Sequence, residues 1–344
     1  MKILLHSDKK DIIEKSGVGR ALRQQMRALE LNNVEYTLDP NDDYDIIHIN
    51  TIFPESYLMG KKAKKLGKKV IYHAHSTEED FRNSFLLSNQ VAPLFKTWLK
   101  KCYSSADLIL TPTPYSKQLL DNYNLNKPVV SISNGIELEF FKKDEKLGEK
   151  FREKFNFTKE DKIVIAVGLY IERKGIIEFV ELAKRMKDYK FVWFGSTNLN
   201  IVPSKIRDAV ESKLDNLYFP GYVSKDILRG AYAGADLFMF PTKEETEGIV
   251  LLEALASKIP VLISDIPIYE GWFEDGKNVY KASSLYEFEQ KTIGILEGKL
   301  PILVDEGYKV AQERDIKKIG SKLKTIYEKL YLEEKVNLNR SIYN

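Results

Sequence analysis

The sequence predicts an α/β protein made of two doubly wound units, and three observations carry that expectation. The chain has 344 residues, more than one hydrophobic core usually serves, so two domains of roughly 150–180 residues are expected. Short apolar runs bounded by turn residues alternate with amphipathic stretches of helical length, the pattern of a mostly parallel sheet covered by helices. The apolar runs also form two sets, one in each half.

In the first half the expected strands are Ile3–His6, Ile46–Ile49, Val70–His73, Leu108–Thr111 and Val129–Ser131. In the second they are Ile163–Val167, Phe191–Phe194, Leu217–Phe219, Leu237–Phe240 and Val261–Ile263. Between the sets lies Asn134-Gly135-Ile136, followed by a Lys- and Glu-rich stretch to Lys162. The boundary is therefore expected within 135–160, with a hinge there, giving domains 1–150 and 151–344. From Asp305 to Leu332, apolar residues at helical spacing (Val310, Ile316, Ile319, Leu323, Ile326, Leu330) predict a terminal helix able to pack on more than one domain.

Composition narrows the function. The 53 Lys+Arg against 50 Asp+Glu leave a net charge of +3, too weak for a chain-wide nucleic-acid footprint, so no nucleic-acid partner is expected. One cysteine, Cys102, leaves no internal disulfide and fits a reducing compartment. The apolar runs are strand-sized, far short of the roughly 20 residues that span a bilayer. The first residues turn polar after Leu5, unlike a secretory signal. A cytoplasmic location follows as the expectation.

Four segments hold candidate chemistry. Ser16-Gly17-Val18-Gly19-Arg20 lies between the first strand and the helix Ala21–Leu29, where glycines admit an anionic group to a helix N-terminus; an ordinary tight turn reads the same way. Glu245 and Glu253 bracket the start of the helix after Leu237–Phe240, with the amides of Gly248, Ile249 and Val250 between them. The bland alternative is helix-start acids favouring the macrodipole. Against it, Glu253 stands among Leu251, Leu252, Ala254, Leu255 and Ala256, where an unpaired carboxylate is costly. Gly168 to Gly175 follows the first strand of the second half and puts Arg173 and Lys174 at its carboxyl end, suited to a diphosphate or simply a solvated basic turn.

All four histidines, His6, His48, His73 and His75, fall at or near strand ends of the first half, and His75 begins a loop. Their spacing does not suggest a metal site. Finally, Lys61 to Lys69 holds six lysines, and Val91 to Lys101 mixes Trp98, Phe95 and Leu94 with lysine. Such segments suit an anionic membrane surface or a solvated helix face.

Taken together these residues resemble glycosyltransferase family 4, the retaining GT-B type, over essentially the whole chain. The resemblance rests on Glu245 and Glu253, on Phe219-Pro220-Gly221-Tyr222-Val223, on Asp236 with Pro241-Thr242, on Pro260-Val261 and on Asn134-Gly135-Ile136. Ser16 to Arg20, Pro40 to Asp45, His75 to Phe85 and Glu244 to Gly248 are similar, more narrowly, to bacterial glycolipid synthases that add a second α-hexose to monoglucosyl-diacylglycerol.

The resemblance implies two Rossmann-like domains facing across a cleft, the terminal helix returning to the first. It implies a UDP-hexose donor (galactose or glucose), a glycolipid acceptor and an anionic membrane surface on the inner face of the cell membrane, with no cofactor and no metal. By this match Glu253 holds the ribose, Glu245 lies beside the donor sugar, Lys174 binds the diphosphate and His75 meets the transferred sugar. Gly17 lets the diphosphate approach the first domain, and Val223 meets the base. Gly168, Gly195, Gly248, Ile249 and Val250 complete the donor site. Many members have arginine where this chain has Leu169, so Arg173 is the candidate for the second phosphate cation. A transferase for a soluble or polyprenyl-linked saccharide and a nucleotide-sugar epimerase stay open, as do the donor hexose and the oligomeric state.

Overall fold

The computed structural model describes residues 1–9 and 16–342, apart from the side chains of 333–342. The chain forms two compact units: residues 1–78, 92–136 and 314–344 make the first, and residues 79–91 and 137–313 the second.

The first unit is a parallel sheet of β1 (Lys2–His6), β2 (Glu35–Thr37), β3 (Ile46–Ile49), β4 (Lys69–His73), β5 (Leu108–Thr111) and β6 (Val129–Ser131), in the order β2-β1-β3-β4-β5-β6. The central strands β3 and β5 are buried along their whole length, as strands covered on both faces must be. Ile47, Ile49, Val70 and Tyr72 pack with Leu99 and Tyr103 on one face. On the other, Ile3, Leu5, Ile46 and Ile71 pack with Leu22 and Leu29 of α1 (Gly17–Leu31) and with Ile316, Ile319, Leu323 and Tyr327 of the terminal helix. Ser16 caps α1, accepting from Gly19 N–H at 3.3 Å, so the helix starts earlier than the expected Ala21. The helices α2 (Pro54–Lys65) and α3 (Ser88–Tyr103) follow β3 and β4.

The second sheet holds β7 (Ile163–Val167), β8 (Lys190–Phe194), β9 (Leu217–Gly221), β10 (Leu237–Phe240), β11 (Val261–Ser264) and β12 (Tyr280–Ala282), in the order β12-β11-β10-β7-β8-β9. Counted within the unit and read from β9, that is the 3-2-1-4-5-6 order of a dinucleotide-binding sheet. Phe179, Phe191 and Trp193 form an edge-to-face aromatic group in its core.

The two doubly wound sheets agree with the fold class expected from the sequence, and all ten expected strands form. The three-residue edge strands β2 and β12 were not anticipated. Each gives one row of hydrogen bonds to a single neighbour and lacks a buried apolar run.

The domain boundaries differ from the expected 1–150 and 151–344 in three places. Residues 137–150, assigned to the first domain, belong to the second unit, because α4 (Glu145–Lys154) packs tightly on α5 (Lys225–Gly234). A Cβ added at Gly230 would lie 2.6 Å from the Leu147 carbonyl, and Arg152 donates to Gly234 O and to Asp236 Oδ2, at 2.8 and 3.0 Å. Of the expected hinge, residues 135–136 fall in the first unit and 137–160 in the second. Residues 314–344, assigned to the second domain, belong to the first unit, where Ile136 N–H donates to Arg314 O at 2.9 Å and Ile316 N–H donates to Ile136 O at 3.0 Å. Residues 79–91 belong to the second unit, held by Leu86 N–H donating to Ile201 O at 3.0 Å and by Phe85 packed on its core.

Candidate active site

In an open parallel sheet, ligands bind beyond the carboxyl ends of the strands where the winding reverses. In the second unit that point lies between β7 and β10. The segments that follow these two strands are the ones the sequence singled out: Gly168 to Gly175, and Pro241 to Gly248 ahead of α6 (Ile249–Ala256).

Those segments lock together. Lys174 Nζ makes an ion pair with Glu245 Oε1, and Thr242 Oγ1 donates to the same oxygen at 3.1 Å. Arg173 Nη1 donates to Glu244 O at 2.8 Å and lies 4.0 Å from Glu245 Oε2. Its Nε donates to Ser84 Oγ at 3.2 Å, and its N–H donates to Asn83 O at 3.2 Å. Thus part of the segment read with the first half meets the basic turn of the second unit. Burial drives the Lys174 pKa below its ordinary value; the Glu245 carboxylate opposes that shift and the Arg173 cation adds to it. A neighbouring anion therefore favours the charged form of Lys174 against its burial.

Two glycines make the arrangement possible. Gly175 has φ +78°, and a Cβ there would fall 2.0 Å from Pro241 O, so only glycine lets the two segments meet. Gly248, at φ +85°, caps α6 and releases the amides of Ile249 and Val250 at a helix N-terminus. Glu253 is buried at 4% exposure and accepts from the Tyr232 hydroxyl at 2.9 Å. The same hydroxyl oxygen lies 3.3 Å from Val250 O, beside the first turn of α6. Gly168 N–H donates to Phe194 O and Gly195 N–H to Gly221 O, both at 2.9 Å, joining the ends of β7, β8 and β9.

The structure thus gathers Arg173, Lys174, Glu245, Gly248, Ile249, Val250 and Glu253 around one strand-end rim, with Gly168 and Gly195 beside it. Val223 lies on the turn between β9 and α5. Sequence reasoning missed Thr242, Tyr232 and Ser84 as partners. Thr242 directly follows Pro241 and was legible; Tyr232 and Ser84 are brought in only by the fold.

In the first unit, Gly17 opens α1, and a Cβ there would meet no protein atom within 4 Å. His75 follows β4. It stacks on His73 with ring centroids 4.2 Å apart and planes 3° apart, and His73 stacks on His48 at 5.3 Å and 7°. His75 Nε2 lies 2.9 Å from Asn50 Oδ1. His6 lies apart from this stack, 3.3 Å from Asp8. Burial pushes His48 and His75 down to about 3 and His73 well below its ordinary value. These rings are neutral at physiological pH. Among the described residues, no group of three or more His, Cys, Asp or Glu is arranged to hold a metal ion.

The depressed histidines make stability depend on pH. Below about pH 6.5 the unfolded chain takes up protons that the folded chain refuses until about pH 3, so stability falls as pH falls through that window. Each ring contributes a slope of up to about 1.4 kcal/mol per pH unit. Urea unfolding between pH 7 and 5 is expected to show this loss, reduced in His48→Gln. A pH-independent midpoint would show that the rings are not buried neutral.

A profile for glycosyl transferases group 1 matches residues 148–305, and one for glycosyltransferase family 4 matches residues 15–140. The chain is 43% identical over 333 residues to the processive diacylglycerol alpha-glucosyltransferase of Acholeplasma laidlawii, covering 96% of this chain and 98% of that one. It belongs to glycosyltransferase family 4 and is a sugar-transferring enzyme. The alpha-galactosylglucosyldiacylglycerol synthase of Streptococcus pneumoniae is 24% identical over 262 residues, 74% of this chain and 70% of that one. Among solved structures, Anabaena HepE in complex with UDP-glucose has a TM-score of 0.74 at 15% identity, covering 96% of this chain and 100% of that one. Sucrose-phosphate synthase from Thermosynechococcus elongatus has 0.79 at 17%, covering 97% and 100%. These two show the shared fold.

Proposed function

We propose that this chain is a retaining hexosyltransferase that moves an α-linked glucose from UDP-glucose to a diacylglycerol glycolipid, monoglucosyl-diacylglycerol foremost, at the inner face of the cell membrane. The observation that carries this reading is the group of part-buried Lys174 and Arg173 with buried Glu245 and Glu253 at the β7/β10 switch point. Cations and helix amides suit a diphosphate there, and the two carboxylates suit the hydroxyls of two sugars. Glucose is favoured by the 43% identity to a relative named as an alpha-glucosyltransferase.

In this reaction the acceptor hydroxyl attacks C1 from the face that the diphosphate leaves. The C1–O bond to phosphate breaks as the new glycosidic bond forms, and the hydroxyl proton passes to the departing phosphate. Lys174, Arg173 and the amides of α6 stabilise the charge that develops on UDP. Glu245 and His75 orient the sugar rather than serving as the nucleophile and acid of a hydrolase. Gly17 gives the diphosphate room at α1, and Val223 meets the base. No metal is needed in this scheme, so EDTA leaves the rate unchanged. The test is a donor-by-acceptor panel, UDP-glucose and UDP-galactose against diacylglycerol and monoglucosyl-diacylglycerol, with NMR of the new anomeric centre. An α-glucosyl lipid is expected; a β-linked product, or an isomerised donor with no transfer, would overturn the reading.

Among the described residues no helix is long and apolar enough to cross a membrane. The basic helices of the first unit suit a peripheral contact. Lys61, Lys62 and Lys65 of α2 are exposed, and Leu58 and Leu94 are 62% and 72% exposed. Lys101 lies over the rings of Tyr57 and Trp98, joining α2 to α3. Lys64 and Lys68 are instead paired within the unit, to Asp107 and Asp43. At about 1 kcal/mol per basic residue near anionic headgroups, Lys61, Lys62 and Lys65 changed together to Glu are expected to abolish sedimentation with phosphatidylglycerol vesicles. Undiminished sedimentation would remove this patch.

A further inference from the structure

His75 is held by a directional set of hydrogen bonds running back to the terminal helix. Asn50 Oδ1 accepts from Gln25 Nε2 at 2.8 Å and lies 2.9 Å from His75 Nε2. A carboxamide oxygen only accepts, so His75 carries its proton on Nε2 and a lone pair on Nδ1. Gln25 Nε2 also lies 3.0 Å from His73 Nδ1, which is therefore an acceptor. His48 Nε2 lies 3.2 Å from that same nitrogen and shares its single lone pair with Gln25, and the Tyr327 hydroxyl lies 2.6 Å from His48 Nδ1. These polarities follow from the orientations of the Asn50 and Gln25 carboxamides.

The surroundings say that this order costs stability. His48 is fully buried, His73 and Gln25 are each 2% exposed, and Tyr327 is fully buried. A sheet packs as well with Val or Ile at those strand positions, without burying imidazoles and carboxamides that must be matched. The set leaves Gln25 Oε1, Asn50 Nδ2 and His73 Nε2 buried without a partner among the described residues, a further cost of holding it together, and the one residue of this set that is half-buried rather than buried, at the carboxyl end of β4, is His75.

We propose that Asn50, backed by Gln25, His73, His48 and Tyr327, is a positioning relay that sets the ring plane and tautomer of His75, so that His75 offers its Nδ1 lone pair to a sugar hydroxyl. The relay rests on the reading of His75 as a group that meets the transferred sugar. Asn50 and Tyr327 act through His75 and touch no substrate. The stack on His73 fixes the ring plane, and the bond to Asn50 selects the nitrogen.

The experiment joins the tautomer of His75, read from two-bond nitrogen–proton NMR correlations of the full chain, to steady-state kinetics with UDP-glucose and monoglucosyl-diacylglycerol. His75→Gln assigns the resonances. The wild type is expected to hold His75 as the Nε2–H tautomer. Asn50→Leu is expected to give a mixture of tautomers and a kcat about tenfold lower, with KM for UDP-glucose within about twofold. Tyr327→Phe keeps the ring and its packing, and is expected to shift the tautomer in the same sense with a kcat loss of about threefold. An Nδ1–H tautomer in the wild type would overturn the relay. So would wild-type tautomer and kcat in Tyr327→Phe and a folded Asn50→Leu, when His75→Ala is impaired. His75→Ala turning over at the wild-type rate would overturn the underlying reading of His75 as well, which separates the two failures.

Discussion

Lys174→Ala is expected to lower kcat by about 100-fold, the scale seen when one preorganised group that stabilises developing charge is removed. The side chain is buried beside Glu245 and close to Arg173, where charge is poorly screened and each interaction with a diphosphate is strong. Burial lowers the Lys174 pKa and Glu245 opposes that shift, so the anion beside it favours the charged lysine. In the proposed reaction the diphosphate takes over that role, which frees Glu245 for the donor sugar. Glu245→Gln is accordingly expected to reduce kcat too, and the double variant Lys174→Ala/Glu245→Gln to lose less than the two single losses multiplied, because each single change disrupts the same pair. Initial rates with UDP-glucose at saturating glycolipid check this. Turnover near the wild-type level in Lys174→Ala would refute the phosphate assignment, and independent losses would refute the coupling.

What the sequence made legible follows from how each feature is encoded. The buried strands show in single local runs, such as Ile163–Val167, since a strand covered on both faces needs apolar residues throughout. Glu253 was legible because a carboxylate inside an apolar helix start is itself an anomaly, and Glu245 by its place in the loop ahead of the same helix. The pairing of Lys174 with Glu245 was not, because their contact is made by Gly175 and Pro241 meeting across β7 and β10. Residues 137–150 looked like a linker because Lys and Glu dominate them, yet the signal for packing lay in Gly148, Gly230 and Gly234, which matter only once α4 and α5 are side by side. Likewise His48 and His73 read only as two of four histidines at or near strand ends. Asn50, Gln25 and Tyr327, which give them their order, come from a loop, α1 and the terminal helix.

Glu253→Ala is expected to act on binding rather than on chemistry. Its carboxylate is held by Tyr232 and lies one helical turn beyond the amides proposed for the diphosphate, the right separation for a ribose joined to that diphosphate. A hydrogen bond to a charged group is worth about 1.5–3 kcal/mol, a factor of about 10 to 150 in Kd. Titration calorimetry with UDP alone is expected to show a loss on that scale, with kcat at saturating UDP-glucose changed only a few-fold. The contrast with Lys174→Ala is the informative part. A group that grips the nucleotide equally before and during transfer changes affinity, whereas a group that meets charge as it develops changes the rate. Should Glu253→Ala bind UDP as tightly as the wild type while losing kcat, the two acids would exchange roles, and Glu245 would become the residue to test against the ribose.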